Sequence, residues 1–200
     1  MIEVEKNFDL RKGDKERLIK GADFIGRKVF TDVYHDTTDF SLTSRDYWLR
    51  TRDGRFELKV PLNQEEIGSR RTDQYQELET DGEIISALGL SCVGIDLVNA
   101  LADAGYKQFA TIITTRESYR KADFHLDFDE TDFGFSTFEV ECMVNGPSEV
   151  AVAESRILQF AKEHSISNTV GHGKVIEYIL RRNPLQYEVL QTHGVVHKHR

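Results

Sequence analysis

Apolar and polar residues alternate with a period of two over eight stretches of the chain: Ile2 to Phe8, Lys28 to Asp36, Tyr47 to Arg52, Phe56 to Val60, Gln74 to Thr80, Gln108 to Tyr119, Phe124 to Asp129 and Thr137 to Val144. This spacing predicts β-strands, because successive side chains of a strand point to opposite faces. Most are joined by short turns, the one at Asp53 and Gly54 among them. Helical spacing occurs in Asp14 to Lys20, Ile95 to Ala104, Ser148 to Glu163 (Val152, Ile157, Leu158, Phe160, Ala161) and Lys174 to Arg182. Strands with helices inserted at intervals predict an α+β protein with a large antiparallel sheet. Eight strands suffice to close that sheet into a barrel with helices packed outside.

The polar faces of these strands are charged. Glu3 and Glu5 alternate with Ile2 and Val4; Arg50 and Arg52 flank Thr51; Glu57 and Lys59 alternate with Phe56, Leu58 and Val60. Asp127 and Asp129 alternate with Leu126 and Phe128, and Glu139 and Glu141 with Phe138, Val140 and Cys142. Two architectures fit. In one, an ordinary sheet turns its charged face to water, where cross-strand pairs of opposite sign stabilise it slightly. In the other, the apolar faces lie outward under the helices and the charges line the lumen of a barrel, an arrangement that is costly unless the charges are paired, hydrated or metal-bound.

Composition narrows the candidates. With 200 residues, 39% hydrophobic and 30% charged, the chain is long enough for one full-sized domain, expected over 1–183. A formal net charge of −8 argues against a general nucleic-acid or anionic-membrane binder, which needs a basic footprint. No apolar run approaches the ~20 residues of a membrane span. With only Cys92 and Cys142 and no apolar leader, the expectation is a cytoplasmic protein of a reducing compartment. Both cysteines read as buried small hydrophobes.

A charged lumen would contain Arg50, Arg52 and Lys59, with Arg116 and Lys174 as later candidates, facing Glu3, Glu5, Asp127, Asp129, Glu139 and Glu141. Guanidinium forks and an ammonium suit a polyphosphate. Clustered carboxylates hold Mg²⁺ or Mn²⁺, hard cations that bridge phosphate oxygens. One cavity then needs charges of both signs.

The motifs IEVE at Glu3 to Glu5, WLRTR, the ELK of Glu57 to Lys59, DFD at Asp127 to Asp129, EVE at Glu139 to Glu141 and the lysine of GHGK at Lys174 occur in this order. In this the chain resembles the CYTH or triphosphate tunnel metalloenzyme superfamily. Through VYHDTTDFSL, YWLR, TTRESYR and LDFDETDFGFSTFEVE it is most similar to the animal-type thiamine triphosphatases. The resemblance implies an eight-stranded antiparallel tunnel and Mg²⁺-dependent hydrolysis of thiamine triphosphate to the diphosphate. By the same resemblance Glu3, Glu5, Asp127 and Glu141 are metal-side carboxylates, and Arg50, Arg52, Lys59, Arg116 and Lys174 form the triphosphate clamp. Glu139 contacts substrate, and Trp48 stacks on the thiamine, an indole face being the best partner for a cationic ring. Tyr34 works with Lys59 in moving the proton during hydrolysis; Lys59 acts as a base or as an electrostatic stabiliser. The family's first motif is Glu-x-Glu-x-Lys, whereas position 7 here is Asn7, and Lys6 has the wrong parity to face a lumen unless a bulge shifts the strand.

Other substrates fit the same tunnel: inorganic triphosphate, a nucleoside triphosphate, or ATP in an adenylyl cyclase reaction. A non-catalytic phosphate-binding module is the reading from a different class, and Asn7 is the feature that suggests it. GHGK lacks the GxxxxGK[ST] of a phosphate loop. The residues 184–200, with His193, His197 and His199, read as a mobile tail. A closed tunnel needs no partner subunit, so a monomer is expected.

Overall fold

The computed structural model describes residues 2–62, 73–91, 96–166 and 172–196. Eight strands close an antiparallel barrel: β1 (Ile2–Phe8), β2 (Asp23–Asp36), β3 (Trp48–Arg52), β4 (Arg55–Pro61), β5 (Asp73–Leu78), β6 (Lys107–Lys121), β7 (Phe124–Thr131) and β8 (Ser136–Val144). Their order around the barrel is β1-β5-β4-β3-β2-β6-β7-β8. Of the two architectures the alternation allows, the barrel is the one formed, as the family resemblance implied, and closure pairs both edges of the sheet. Asp53 and Gly54 both take positive φ, 51° and 78°, and join β3 to β4 with Arg52 paired to Arg55. That is the two-residue hairpin Asp-Gly favours.

The apolar faces point outward, under helices. On one side α4 (Pro147–Glu163) lays Val150, Ala153, Ile157, Phe160 and Ala161 over Val4, Phe8, Phe138 and Val140. On the other, Leu49, Leu58 and Leu78 lie under α2 (Asp81–Leu88) and α3 (Leu97–Asp103), which contribute Ile84, Leu97 and Leu101. The remaining helices are α1 (Asp14–Leu18), α5 (Lys174–Arg182) and α6 (Pro184–Thr192).

Several expectations are corrected. The alternation suggested that β2 began at Lys28, but it begins at Asp23, with a register shift between Phe24 and Gly26. Helix α2 occupies residues next to a strand expected to run to Thr80; Thr80 instead caps the helix, its hydroxyl accepting from the Glu83 amide in a capping box. Val152, which falls on the apolar stripe expected for α4, is 61% exposed. The stretch from 184 is not simply a mobile tail. Asn183 caps α6, Pro184 opens it, and Tyr187, Leu190 and Val196 are buried against Trp48, Tyr75 and Ile179. Cys142 is buried as expected, whereas Cys92, His197 and His199 lie outside the described residues. His193 ends α6.

Candidate active site

Inside the barrel lies a cavity of about 990 Å³. Each residue given a role from sequence borders it: the carboxylates Glu3, Glu5, Asp127, Glu139 and Glu141, the cations Arg50, Arg52, Lys59, Arg116 and Lys174, and Tyr34 and Trp48. Strand parity brings them together, because odd positions of β1, β4, β7 and β8 and even positions of β2, β3 and β6 all face the lumen. Lys174 enters differently, from the first turn of α5, and is 5% exposed.

The charges form four linked groups. Lys59 donates to Glu3 and, at 3.2 Å, to Glu5, with Glu77 at 3.5 Å. Arg116 grips both oxygens of Asp129 at 2.6 Å, donates to Glu139 at 2.8 Å and also to Asp127. Arg52 makes a fork to Asp32 at 2.7 and 2.9 Å, and Lys174 lies 3.3 Å from Asp32 and 3.2 Å from Asp129. Arg50 donates to Glu57 at 2.7 Å and has Glu77 and Asp32 at 3.9 and 4.0 Å. The opposite charges of the β3–β4 hairpin thus serve one lumen, with Arg50 paired across the ladder to Glu57.

These pairings set the protonation states. Burial would lower the Lys59 ammonium, but Glu3, Glu5 and Glu77 raise its pKa well above the usual lysine value. Lys174 is lowered, because burial outweighs Asp129 and Asp32. Burial, reinforced by Asp32, pushes the Tyr34 phenol up to about 12. Burial and then the nearby Glu3 carboxylate push Glu141 up to about 7, and burial raises Glu139 despite Arg116. Asp32 is held below the carboxylate range: burial opposes this, but Arg52, Arg50 and Lys174 prevail.

Three assignments are sharpened. Asn7 faces the cavity and accepts from the Thr137 hydroxyl at 3.0 Å. Strand β1 pairs with β8 without a register shift, so Lys6 stays on the outer face, 5.8 Å from the Phe8 ring. No bulge restores the missing lysine. Trp48 is 6% exposed, and its indole N–H donates at 2.9 Å to Asp46, which also accepts from the Tyr75 hydroxyl at 2.9 Å. Tyr34 pairs across the ladder with Arg50, and β3 separates it from the strand of Lys59.

Sequence reasoning gave no role to Asp32, Glu77, Tyr75 or His125. Parity with Tyr34 and Asp127 marks Asp32 and His125 as inward. His125 lies 3.2 Å from Asp127, and that hydrogen bond raises its pKa. Among the described residues no three metal-ligating side chains converge closely enough to enclose an ion. The donor chemistry nevertheless fits a hard divalent cation: Glu3, Glu5, Asp127 and Glu141 offer oxygen alone, and Glu141 is raised by burial and the neighbouring Glu3 carboxylate.

A closed antiparallel barrel with helices outside and a lumen of paired cations and carboxylates defines a tunnel protein built for a small charged ligand. The chain belongs to the CYTH domain family, whose model matches residues 1–170. It is 30% identical to the thiamine-triphosphatase of Homo sapiens over 95% of this chain and 89% of that one, and equally to that of Macaca fascicularis. In fold it is similar to a protein of Pyrococcus horikoshii OT3 (TM-score 0.62, 18% identity, 90% of this chain and 99% of that one). It is likewise similar to a putative adenylate cyclase from Vibrio parahaemolyticus (TM-score 0.58, 16% identity, 90% and 98%). The matched residues end before Lys174, so α5 and α6 lie beyond the family model.

Proposed function

We propose that the protein is a triphosphatase that hydrolyses thiamine triphosphate to thiamine diphosphate and phosphate. The observation that carries this reading is the convergence of Arg50, Arg52, Lys59, Arg116 and Lys174 on one cavity of about 990 Å³. That many cations around one lumen suit a chain of phosphates rather than a single one. The curated relatives named thiamine-triphosphatase support the choice of substrate. So does the aromatic end of the tunnel, where Trp48 and Tyr75 border the cavity with Val175, Ile176 and Val196, an apolar surround for a cationic ring.

In this mechanism water attacks the terminal phosphorus in line, and positioned cations stabilise charge on the transferring and leaving oxygens. Lys59 works as an ammonium, since its carboxylate partners raise its pKa and keep it protonated; it is an electrostatic stabiliser rather than a base. Tyr34 stays a neutral phenol beside Arg50. A loose phosphoryl-transfer transition state asks little of a base, so positioning dominates. Glu3, Glu5, Asp127 and Glu141 would hold Mg²⁺ or Mn²⁺, which when bound neutralises phosphate oxygens. The reading includes a monomer acting in the cytoplasm; among the described residues no helix is long and apolar enough to cross a membrane.

Inorganic or nucleoside triphosphate in the same tunnel is favoured by one observation, Asn7 in place of a lumen lysine, which alters the phosphate contacts. Phosphate release with Mg²⁺ at slightly alkaline pH, from thiamine triphosphate, inorganic triphosphate and ATP in parallel, decides. Preference for the thiamine ester, lost in Trp48→Ala while inorganic triphosphate is spared, supports the proposal. Preference for inorganic triphosphate moves the substrate, and no release from any of them leaves a binding module.

A further inference from the structure

One aromatic ring lies behind the cations of the lumen. Phe30 is two residues before Asp32 on β2 and shares its inward face. It is 4% exposed and does not itself border the cavity. Four cations stand over the ring: the Arg52 guanidinium carbon 4.3 Å from its centroid, the Lys174 and Lys28 Nζ atoms at 4.7 and 5.1 Å, and the Arg116 carbon at 5.6 Å. An apolar side chain buried this deeply normally joins the core. Phe30 belongs to none of the four buried apolar clusters of the described residues.

We propose that Phe30 is a positioning residue for the triphosphate clamp, its ring gathering Arg52, Arg116 and Lys174 toward one point. The inference rests on the tunnel being a polyphosphate site. Its physical basis is the difference between the two kinds of partner these cations have. Asp32 and Asp129 hold them by occupying their N–H donors, which a phosphate must then win back. A ring face attracts a cation through its quadrupole, accepts no ordinary hydrogen bond and cancels no charge. It therefore holds three like charges close together while leaving their charge and part of their donor set for the ligand. A leucine would fill most of the space without that attraction, leaving Asp32 and Asp129 alone to hold the cations in place.

The test uses the full chain in magnesium buffer, titrated calorimetrically with imido-bridged triphosphate and imido-bridged diphosphate, which resist hydrolysis. Phe30→Leu is expected to weaken the triphosphate analogue by about tenfold and the diphosphate analogue by less than about threefold, since the shorter chain engages fewer of the gathered cations. Phe30→Tyr, which keeps the ring face, should bind within about twofold of the natural chain. Equal losses for both ligands, no loss in Phe30→Leu, or a Phe30→Tyr as weak as Phe30→Leu would each overturn the inference. If Phe30→Leu does not fold, Phe30→Met carries the same expectation. Failure of the natural chain to bind the triphosphate analogue, seen before any substitution, overturns the polyphosphate reading itself and this inference with it.

Discussion

Asp32→Asn removes one charge from the centre of the clamp with almost no change of volume. Asp32 is fully buried, accepts both bonds of the Arg52 fork, and lies 3.3 Å from the Lys174 ammonium and 4.0 Å from Arg50. Removing one partner from a buried ion pair costs roughly 3–5 kcal/mol, because the other charge is left uncompensated. At about 2–4 °C per kcal/mol for a chain of this size, the melting temperature should fall by roughly 6–20 °C. The carboxyl is depressed in the fold, so its contribution is present above the ordinary aspartate pKa and is lost as pH falls through the folded value. The gap between the two proteins should thus be constant from about pH 5 to 8 and shrink in acid. Inorganic triphosphate supplies the missing negative charge, so it should raise the melting temperature of the variant more than that of the natural chain. Scanning fluorimetry over pH and triphosphate concentration reads all three effects, and the double variant with Arg52→Gln should lose less than the sum of the single losses. A fall below about 2 °C, or a gap indifferent to both acid and triphosphate, would refute the view of Asp32 as the clamp's central counter-charge.

Lys59→Met should lower kcat for triphosphate hydrolysis by about 10²–10³-fold, read by phosphate release; turnover within about threefold of the natural chain would remove Lys59 from the chemistry. In chelator, stability should decline as pH rises from about 5 to 8. Glu141, with a folded pKa of about 7, and His125, also raised, are both favoured in their protonated forms in the fold, so their contribution is full at low pH and lost as pH passes their folded values. Glu141→Gln should flatten that slope in fluorimetric melts; an unchanged slope would place its origin elsewhere. Truncation after Asn183 should expose Trp48, Tyr75 and Ile179 and cost several kcal/mol, and a melting temperature that does not move would show that α6 adds nothing to the barrel.

Much of the lumen was legible because a strand's period-two rule needs no knowledge of its partners. Arg50 with Arg52, Glu57 with Lys59 and Asp127 with Asp129 declare a charged face from sequence alone, and a closed barrel turns all such faces to one interior. What parity cannot give is which carboxylate meets which cation, since that depends on the stagger between strands distant in sequence, as with Lys59 and Glu3. Asp32 carries no such mark, because its inward neighbours on β2 are Phe30 and Tyr34 and no run of charges declares the face. Helices α2 and α6 had readable signals, a capping box at Thr80 and Glu83 and an Asn-Pro pair at Asn183. Against those signals stand an alternation that runs on to Thr80 and the histidines that follow α6.

The balance of charge around the cavity carries the argument for a bound cation further than any single contact. Arg50, Arg52, Lys59, Arg116 and Lys174 face more carboxylates than they can neutralise: Glu3, Glu5, Asp32, Glu57, Glu77, Asp127, Asp129, Glu139 and Glu141 all border the lumen or pair with these cations. The surplus shows in Glu141, pushed up to about 7 by burial and then by the nearby Glu3 carboxylate, while Glu139 is raised by burial and Asp129 against the pull of Arg116. A triphosphate brought into such an interior meets net repulsion unless positive charge comes with it. Replacing the surplus carboxylates with neutral groups would make a simpler anion site, as would a lysine at position 7, a sixth cation beside the five of the clamp. A lumen that keeps its carboxylates is suited instead to a ligand carrying its own divalent counter-ion, the cations taking the phosphate oxygens and Glu3, Glu5, Asp127 and Glu141 the metal.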